Sequence, residues 1–194
     1  HEAAGSLYVL KKSLFNEIDI FNTGGPILVV RIPEMREWDI NIGPGCTLLV
    51  PFQDPANVGS VIRSAAGFNV GKIVLLKEAA NPYHPKSIRA SAGSVFHAVM
   101  ERGPSIRDLP SLIKEKISSV VALDTEGAPL DSFTFPERFL LLPGIEGPGL
   151  PDPFRDRSVS IPLSDAVESL NAPVSVSIAL YEWSRQSPSN STRV

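Results

Sequence analysis

The chain is poor in cysteine and has no long apolar run. Cys46 is the only cysteine among 194 residues, which rules out an internal disulfide and a metal site built from cysteines. No apolar run approaches the length of about 18 residues that a membrane-spanning helix needs. The opening "HEAAGS" has neither the charged nor the apolar region of a signal peptide. We therefore expect a protein of a reducing compartment, the cytoplasm, with no membrane partner.

Histidine and positive charge are also scarce. The three histidines show no metal-ligand spacing, and His84 and His97 have no Ser/His/Asp context, so we expect neither a metal nor a nucleophilic triad. A formal net charge of -3 argues against a pervasive basic surface for nucleic acid. Between residues 60 and 103, however, six basic residues stand against two acidic ones. This region is either a local basic patch or an ordinary solvated face balanced elsewhere.

Apolar, β-branched runs recur along the chain and predict the fold class. They are continuous rather than alternating, which is typical of strands buried on both faces. Helical patterns at 57–68 and 106–117 separate some of them. We therefore predict an α/β fold with a mostly parallel sheet flanked by helices. The six predicted strands are 26–32, 46–52, 72–76, 119–124, 138–144 and 158–163.

The length suits one main domain with a small appendage. Residues 1–22 contain a predicted helix that ends at the turn "NTGG". We assign 1–40 to an N-terminal lead-in, which is either the end of a missing segment or the approach to the sheet. The main domain is predicted at 41–186, and the polar tail 187–194 is predicted to be disordered.

The stretch "PFQDPANVGSVIRSAAGF" (51–68) predicts a strand end followed by a helix. Asp54 can cap this helix and Pro55 suits its first turn. Asn57 and Arg63 are polar exceptions near the carboxyl end of a strand, where open α/β sheets bind ligands. The alternative is a simple cap with a surface arginine.

The stretch "LLLPGIEGPGLPDPF" (140–154) places Gly144, Gly147 and Gly149 after a strand. Its prolines disfavour the helix that a dinucleotide fingerprint needs, and no Gly-Lys-Ser/Thr follows as in a P-loop. What remains is a wide loop with one carboxylate, Glu146. Such a loop suits a ligand approached closely by backbone, or it is an ordinary crossover turn.

The stretch "SDAVESLNAPVSVSIALYEW" (164–183) gives two conflicting indications. Alternating apolar residues from Val174 are typical of a half-buried strand. Asn171 and Pro173 are typical of a helix start, as a cap and as a first-turn proline. Ser169 and Asn171 stand at the mouth of this run, and capping is the simplest explanation for them.

Taken in order, the three stretches resemble the motifs of the SpoU (TrmH-type) RNA methyltransferases of the SPOUT superfamily. "DPANVGSVIRSA" fills every fixed position of Asp-Pro-x-Asn-x-Gly-x-x-x-Arg-x-Ala. "GIEGPGL" matches the second motif, and "IPLSDAVESLN" matches Ile-Pro followed by Ser-Leu-Asn. "SIRASAGSVFH" also resembles the segment between the first two motifs. The resemblance covers about residues 46–185 and is far more specific than any single motif.

This resemblance implies a deep C-terminal trefoil knot, a homodimer with the active site near its interface, and bound S-adenosylmethionine. It implies methylation of a ribose 2'-hydroxyl of rRNA or tRNA, with S-adenosylhomocysteine as product. A missing N-terminal segment would then be an RNA-recognition domain, and the lead-in favours rRNA. The competing functions are a catalytically inactive RNA-binding module of the same fold and an unrelated nucleotide-binding hydrolase, for which the sequence lacks both phosphate loop and triad.

The resemblance also assigns residues. The catalytic positions that it implies are Asn57, Arg63, Glu146, Ser169 and Asn171. The cofactor-binding positions that it implies are Leu142, Pro143, Gly144, Gly147, Gly149, Ile161, Leu163, Ser169, Leu170 and Asn171. The family proposal makes the matching arginine a general base. Because a guanidinium is almost always protonated, we expect Arg63 instead to position an RNA phosphate and to stabilise developing alkoxide charge.

The chain departs from the family pattern after Ser-Leu-Asn, where Ala172 and Pro173 replace the usual Val and small residue. Proline is tolerated in a first helical turn, so we expect little loss of function from it.

Overall fold

A computed structural model describes residues 5–144 and 149–186. It divides into two compact units, one ending at Pro33 and the other beginning at Glu34. Glu146 and Gly147 lie outside the described residues, as does the predicted tail 187–194.

Within residues 5–33, the first unit contains one short helix, α1 (Lys12–Ile18), which lies in the predicted helical stretch. After it, Asp19 accepts hydrogen bonds from the backbone N–H groups of Gly24 (2.8 Å) and Thr23 (3.0 Å). The bond from Gly24, then that from Thr23, holds the pKa of Asp19 below its ordinary value. A turn therefore closes where "NTGG" predicted one.

The strand predicted at 26–32 is wrong. These residues form no strand, and Leu28 and Val29 are 85% and 96% exposed. Apolar, β-branched composition favours a strand only where a neighbouring strand supplies hydrogen-bond partners. The sequence shows this composition, but it does not show whether a neighbouring strand is available for pairing.

The second unit is built on a seven-stranded sheet in which every pair is parallel. The strand order across it is β1-β4-β3-β2-β6-β5-β7. Five of its strands were predicted, and the two short strands β1 and β4 were not. The strands are β1 (Arg36–Glu37), β2 (Gly45–Val50), β3 (Lys72–Leu75), β4 (Met100–Arg102), β5 (Val120–Pro129), β6 (Arg138–Pro143) and β7 (Ser158–Ser160). This confirms the predicted α/β class with a mostly parallel sheet.

The inner strands are buried on both faces, as their continuous apolar runs predicted. In β2, Leu48 and Val50 pack in one core cluster, whereas Leu49 packs in a second cluster on the opposite face. Successive side chains of a strand point to opposite faces, so each run supplies both clusters.

Among the described residues, four α-helices accompany this sheet. They are α2 (Pro55–Gly67), α3 (Pro85–Ala90), α4 (Leu109–Leu112) and α5 (Ala172–Gln186). Buried residues of α2 and α5 belong to the first core cluster, and those of α4 belong to the second. Helices therefore cover both faces of the sheet.

Helix α2 begins as the sequence predicted. The Asp54 carboxylate accepts a hydrogen bond from the backbone N–H of Ala56 at 2.7 Å, and Pro55 occupies the first turn. This cap places Asn57 in the first turn of the helix, which follows β2 after the loop 51–54.

Helix α5 settles the conflict at 164–183 in favour of a helix. The carbonyl of Asn171 accepts hydrogen bonds from the N–H groups of Val174 (2.9 Å) and Ser175 (3.1 Å), so the helix starts there. Pro173 lies buried in the first turn, where no N–H partner is required.

Two other predicted elements are shorter than expected. The helix predicted at 106–117 is limited to α4, because Ile113 has φ -107° and ψ 23°, outside the α region, and a 3-10 turn, Lys114–Ser119, follows it. The strand predicted at 158–163 ends with β7 at Ser160. Pro162 has no N–H to continue a ladder.

Candidate active site

A cavity of about 470 Å³ lies at the carboxyl ends of β6 and β7, beside the middle of β5 and the start of α5. Small-molecule sites in parallel α/β sheets form at this edge, and roughly 300–1,000 Å³ is their usual volume. The described residues that line it are Leu123, Asp124, Thr125, Pro143, Gly144, Gly149, Leu150, Val159, Ile161, Leu163, Ser169, Leu170, Asn171, Ala172 and Ser175. The second and third sequence motifs thus meet in one wall.

The structure brings most of the predicted cofactor positions together around this cavity. Eight of the ten line it, namely Pro143, Gly144, Gly149, Ile161, Leu163, Ser169, Leu170 and Asn171. Leu142 does not, because its side chain points to the opposite face of β6 and is fully buried in the second core cluster. Gly147 lies outside the described residues.

The glycine-rich loop contributes backbone more than side chain to this wall. Gly149 has a φ of +68°, a conformation that favours glycine. Apolar residues such as Leu150 and Ile161 line the cavity beside these glycines. Such a lining suits a flat, partly apolar ring held by backbone hydrogen bonds.

A second groove, of about 480 Å³, lies between α2 and α5. It is mostly apolar, with Phe68, Val174, Ile178 and Tyr181 among its lining residues. Asn171 lines both this groove and the first cavity. The two depressions therefore adjoin at the start of α5.

The predicted catalytic residues divide between these places. Ser169 and Asn171 line the first cavity, whereas Asn57 lines the groove between α2 and α5. Arg63 is exposed on α2 and lines neither depression. Within one copy of the chain, the described residues of the second and third motifs thus share one cavity, whereas Arg63 of the first motif lies outside it.

Sequence reasoning missed the residues that β5 contributes to the cavity. Leu123, Asp124 and Thr125 line it from the middle of that strand, where its pairing with β6 ends at Leu123. The signal that could have found them is positional, since polar residues following a strand of a parallel sheet lie at its ligand-binding edge.

His84 and His97 are both exposed. His84 is exposed and caps α3, its Nδ1 accepting a hydrogen bond from the backbone N–H of Lys86 at 3.2 Å. Within residues 5–144 and 149–186, no group of three metal-ligating side chains comes together. No helix in those ranges has the length and apolar character needed to cross a membrane.

A parallel α/β sheet with a cavity at the carboxyl ends of its strands is the arrangement in which open α/β proteins bind small molecules. Residues 46–181 match the model of the family described as the SpoU rRNA Methylase family. Because this match covers more than half of the sequence, the chain belongs to that family.

Similar curated proteins include methyltransferases of ribosomal RNA. The chain is 46% identical, over 93% of its length and 36% of the relative's, to ribosomal RNA small subunit methyltransferase G 2 of Syntrophobacter fumaroxidans. It is 35% identical, over 71% of its length and 51% of the relative's, to the 23S rRNA (uridine(2479)-2'-O)-methyltransferase of Streptomyces viridochromogenes. It is 30% identical, over 90% and 71%, to the 23S rRNA (guanosine(2553)-2'-O)-methyltransferase RlmP of Bacillus subtilis.

Solved structures share the fold. A TrmH-family RNA methyltransferase from Porphyromonas gingivalis aligns with a TM-score of 0.67 at 26% identity, over 78% of this chain and 63% of the other. The SpoU methyltransferase AviRb from Streptomyces viridochromogenes, in complex with the cofactor AdoMet, aligns with a TM-score of 0.64 at 32% identity, over 76% and 62%. The chain spans 36% and 51% of the first two curated relatives.

Proposed function

We propose that this chain is the catalytic part of an S-adenosylmethionine-dependent RNA methyltransferase that modifies a ribose 2'-hydroxyl of rRNA in the cytoplasm. The observation that carries the proposal is the cavity at the carboxyl ends of β6 and β7, because the second and third motifs build its wall together. Two relatives are named as 2'-O-methyltransferases of 23S rRNA, and one similar structure holds AdoMet.

The cavity fits this cofactor. Its volume of about 470 Å³ lies within the usual range for small-molecule sites, and its walls combine apolar side chains with backbone. Pro143, Gly144 and Gly149 would hold the adenosyl group from one side. Ile161, Leu163 and the segment 169–171 would hold it from the other.

When bound, S-adenosylmethionine would supply the methyl group, with the electron pair of the broken carbon–sulfur bond left on sulfur. The ribose 2'-oxygen would bond the carbon and give its proton to water. The chain's own work is alignment, which supplies roughly 7–11 kcal/mol in favourable cases. Ser169 and Asn171 would orient the groups at the cavity, and Glu146 is proposed with them. Arg63 would bind the RNA phosphate and stabilise negative charge on the attacking oxygen.

A homodimer explains the separation of the motifs. Val174 and Tyr181 of the groove between α2 and α5 are 47% and 58% exposed, and the groove also carries Asn57. A second copy docked there would cover these apolar side chains and assemble the first motif beside the start of α5. We propose this groove as the dimer interface.

Sedimentation measurements would test the interface. Val174→Asp should shift the protein towards monomer, whereas Leu112→Asp, an exposed leucine on α4 with 47% exposure, should not. A Val174→Asp protein that stays dimeric at the same concentrations would place the interface elsewhere.

We also propose the trefoil knot in the C-terminal part. The short strand β7 lies at one edge of the sheet and pairs with β5. Helix α5 nevertheless packs on α2. The ring centroid of its Trp183 lies 5.9 Å from that of Phe139 in β6. The segment 161–171 therefore crosses back over the ends of β5 and β6, which supports threading of the second and third motifs. The proposed domain remains 41–186, preceded by a lead-in.

Calorimetry followed by a transfer assay tests the function. The protein should bind S-adenosylmethionine and transfer labelled methyl to rRNA from cells lacking the gene, and digestion should yield a 2'-O-methylnucleoside. Absence of binding at millimolar cofactor would overturn the proposal. Binding without transfer to rRNA or tRNA would favour an inactive RNA-binding module instead.

A further inference from the structure

Asp124 differs from every other described residue that lines the cavity, because it is the only ionisable one. The remaining polar side chains in that set are the neutral Thr125, Ser169, Asn171 and Ser175. Asp124 is half-buried, so water only partly screens its charge. The described wall therefore carries one negative charge.

The backbone holds Asp124 in this wall. In the β5–β7 ladder both Leu123 and Ala128 pair with Val159, so residues 124–127 leave the ladder and form an excursion. A Cβ added at Gly127 would lie 2.5 Å from the backbone nitrogen of Val159, so the excursion closes tightly on β7. The Ser160 hydroxyl donates a hydrogen bond to the Gly127 carbonyl at 2.8 Å and fixes the same end.

The carboxylate of Asp124 is not neutralised by the rest of the described chain. Its Oδ1 accepts two long hydrogen bonds, from the Thr125 hydroxyl at 3.4 Å and from the Glu126 backbone N–H at 3.5 Å. Within the described residues its Oδ2 has no hydrogen bond, and no cation pairs with it. Its charge remains available to a molecule in the cavity.

We propose that Asp124 makes the cavity selective for the cationic cofactor over its neutral product, an inference that rests on the proposed function. S-adenosylmethionine and S-adenosylhomocysteine share the same zwitterionic amino-acid end. They differ in one positive charge, on the sulfonium. A carboxylate in the wall stabilises the cationic form, and that contribution falls once the methyl group has left. Asp124 is thus a specificity-determining residue that favours loading and product release.

The test compares three ligands by calorimetry. S-adenosylmethionine and sinefungin, which carries an ammonium group in place of the sulfonium, are both cations, whereas S-adenosylhomocysteine has no net charge. In Asp124→Asn, the dissociation constants of the two cations should rise about tenfold, a size expected for one partly screened charge pair. The constant for S-adenosylhomocysteine should change less than about threefold.

Glu126→Gln is the matched control, because Glu126 is an exposed carboxylate two residues away that does not line the cavity. It should leave all three dissociation constants unchanged. Circular dichroism should show that both nearly isosteric variants keep their structure.

Two results would overturn the inference. If Asp124→Asn raised the dissociation constants of all three ligands equally, Asp124 would bind a group common to them, such as the ribose hydroxyls or the amino group. Unchanged binding of all three would show that the carboxylate only forms part of the wall. If the unaltered protein bound none of the ligands, the proposed function itself would fail, which is a distinct outcome.

Discussion

The hydroxyl groups of Ser64 and Ser177 form a hydrogen bond of 2.8 Å between their Oγ atoms, and this bond joins α2 to α5. The Ser177 hydroxyl also lies 2.8 Å from the Pro173 carbonyl, as a donor to it. The Ser64 Oγ in turn lies 3.2 Å from the Ser60 carbonyl, so either hydroxyl can donate within the pair. The pair links the helix of the first motif to the first turn of the helix that follows the third.

Removing this bond should destabilise the protein modestly. Ser177→Ala should lower the free energy of unfolding by about 0.5–1.5 kcal/mol, since it leaves the part-buried Ser64 hydroxyl with one partner fewer. Urea denaturation of both single variants and the double variant measures the coupling between the two positions. Ser184→Ala, on the exposed part of α5, is the control and should lower the free energy of unfolding by less than Ser177→Ala does. A coupling of zero would show that the bond adds no stability.

Gly59 is predicted to resist any side chain. A Cβ there would overlap the carbonyl oxygen of Ser87 and lie 2.9 Å from the Cβ of Ala90, because α2 and α3 pack directly on each other. Gly59→Ala should therefore destabilise the protein by about 1–3 kcal/mol despite the better helix propensity of alanine.

Gly67 provides the matched control in the same helix. A Cβ there meets no atom within 4 Å, so Gly67→Ala should be neutral or stabilise by up to about 1 kcal/mol. Thermal unfolding of both variants checks the opposite signs. Equal effects at the two glycines would contradict the close packing of α2 on α3.

Cys46 should be inert in the folded protein. Its side chain is 1% exposed in β2, and burial raises the pKa of the thiol far above its ordinary value. Because the thiolate is the reactive form, a thiol reagent at pH 8 should not label the native protein. Labelling should become complete in denaturing urea. Rapid labelling without denaturant would show that the sheet opens readily at β2.

Arg63→Lys should separate activity from stability. Arg63 is exposed, so its replacement should leave the unfolding midpoint unchanged. If the planar guanidinium binds phosphate and stabilises charge, methyl transfer should fall at least about tenfold while cofactor binding persists. Arg107→Lys, an exposed arginine elsewhere, is the control. Near-normal turnover of Arg63→Lys would exclude a role for the planar guanidinium group.

Glu182 should contribute a pH-dependent stability near the end of α5. Hydrogen bonds from Arg185 (2.7 Å) and then from Gln186 (2.9 Å) hold the pKa of Glu182 below its ordinary value of 4.5. A lowered folded-state pKa means that this stabilisation is present above the unfolded pKa and is lost as the pH falls through the folded value.

The variant Glu182→Gln tests that sign. Its unfolding temperature should be lower than that of the unaltered protein at pH 7, and the two should converge as the pH is lowered from 5 to 3. A difference that grows towards acid pH would show that Glu182 is destabilising when charged.

Local chemistry explains why much of the site was predictable. Asp54 and Pro55 specify the start of α2 through a cap and a fixed φ, and these need only neighbouring residues. The glycines after β6 and the pair Ser169 and Asn171 are recognisable as motifs from their order and spacing along the chain. The structure places the described members of the second and third motifs around one cavity.

Other features depended on partners distant in sequence. The run 26–32 has the composition of a strand but no strand forms, because pairing requires a neighbour. Leu142 lies in the second motif region, yet the alternation of β6 turns its side chain away from the cavity. Neither outcome can be read from the residues alone.

The sequence by itself determined the α/β class, five of the seven described strands and the family, because periodicity, caps and motif spacing are local properties of the chain. Only the tertiary structure decided that Asp124 contributes the charge of the described cavity wall, that Asn171 lies between two depressions, and that Arg63 is apart from both. These relationships arise where ends of strands distant in sequence meet at one edge of a sheet. Their positions follow from packing, which no local pattern encodes.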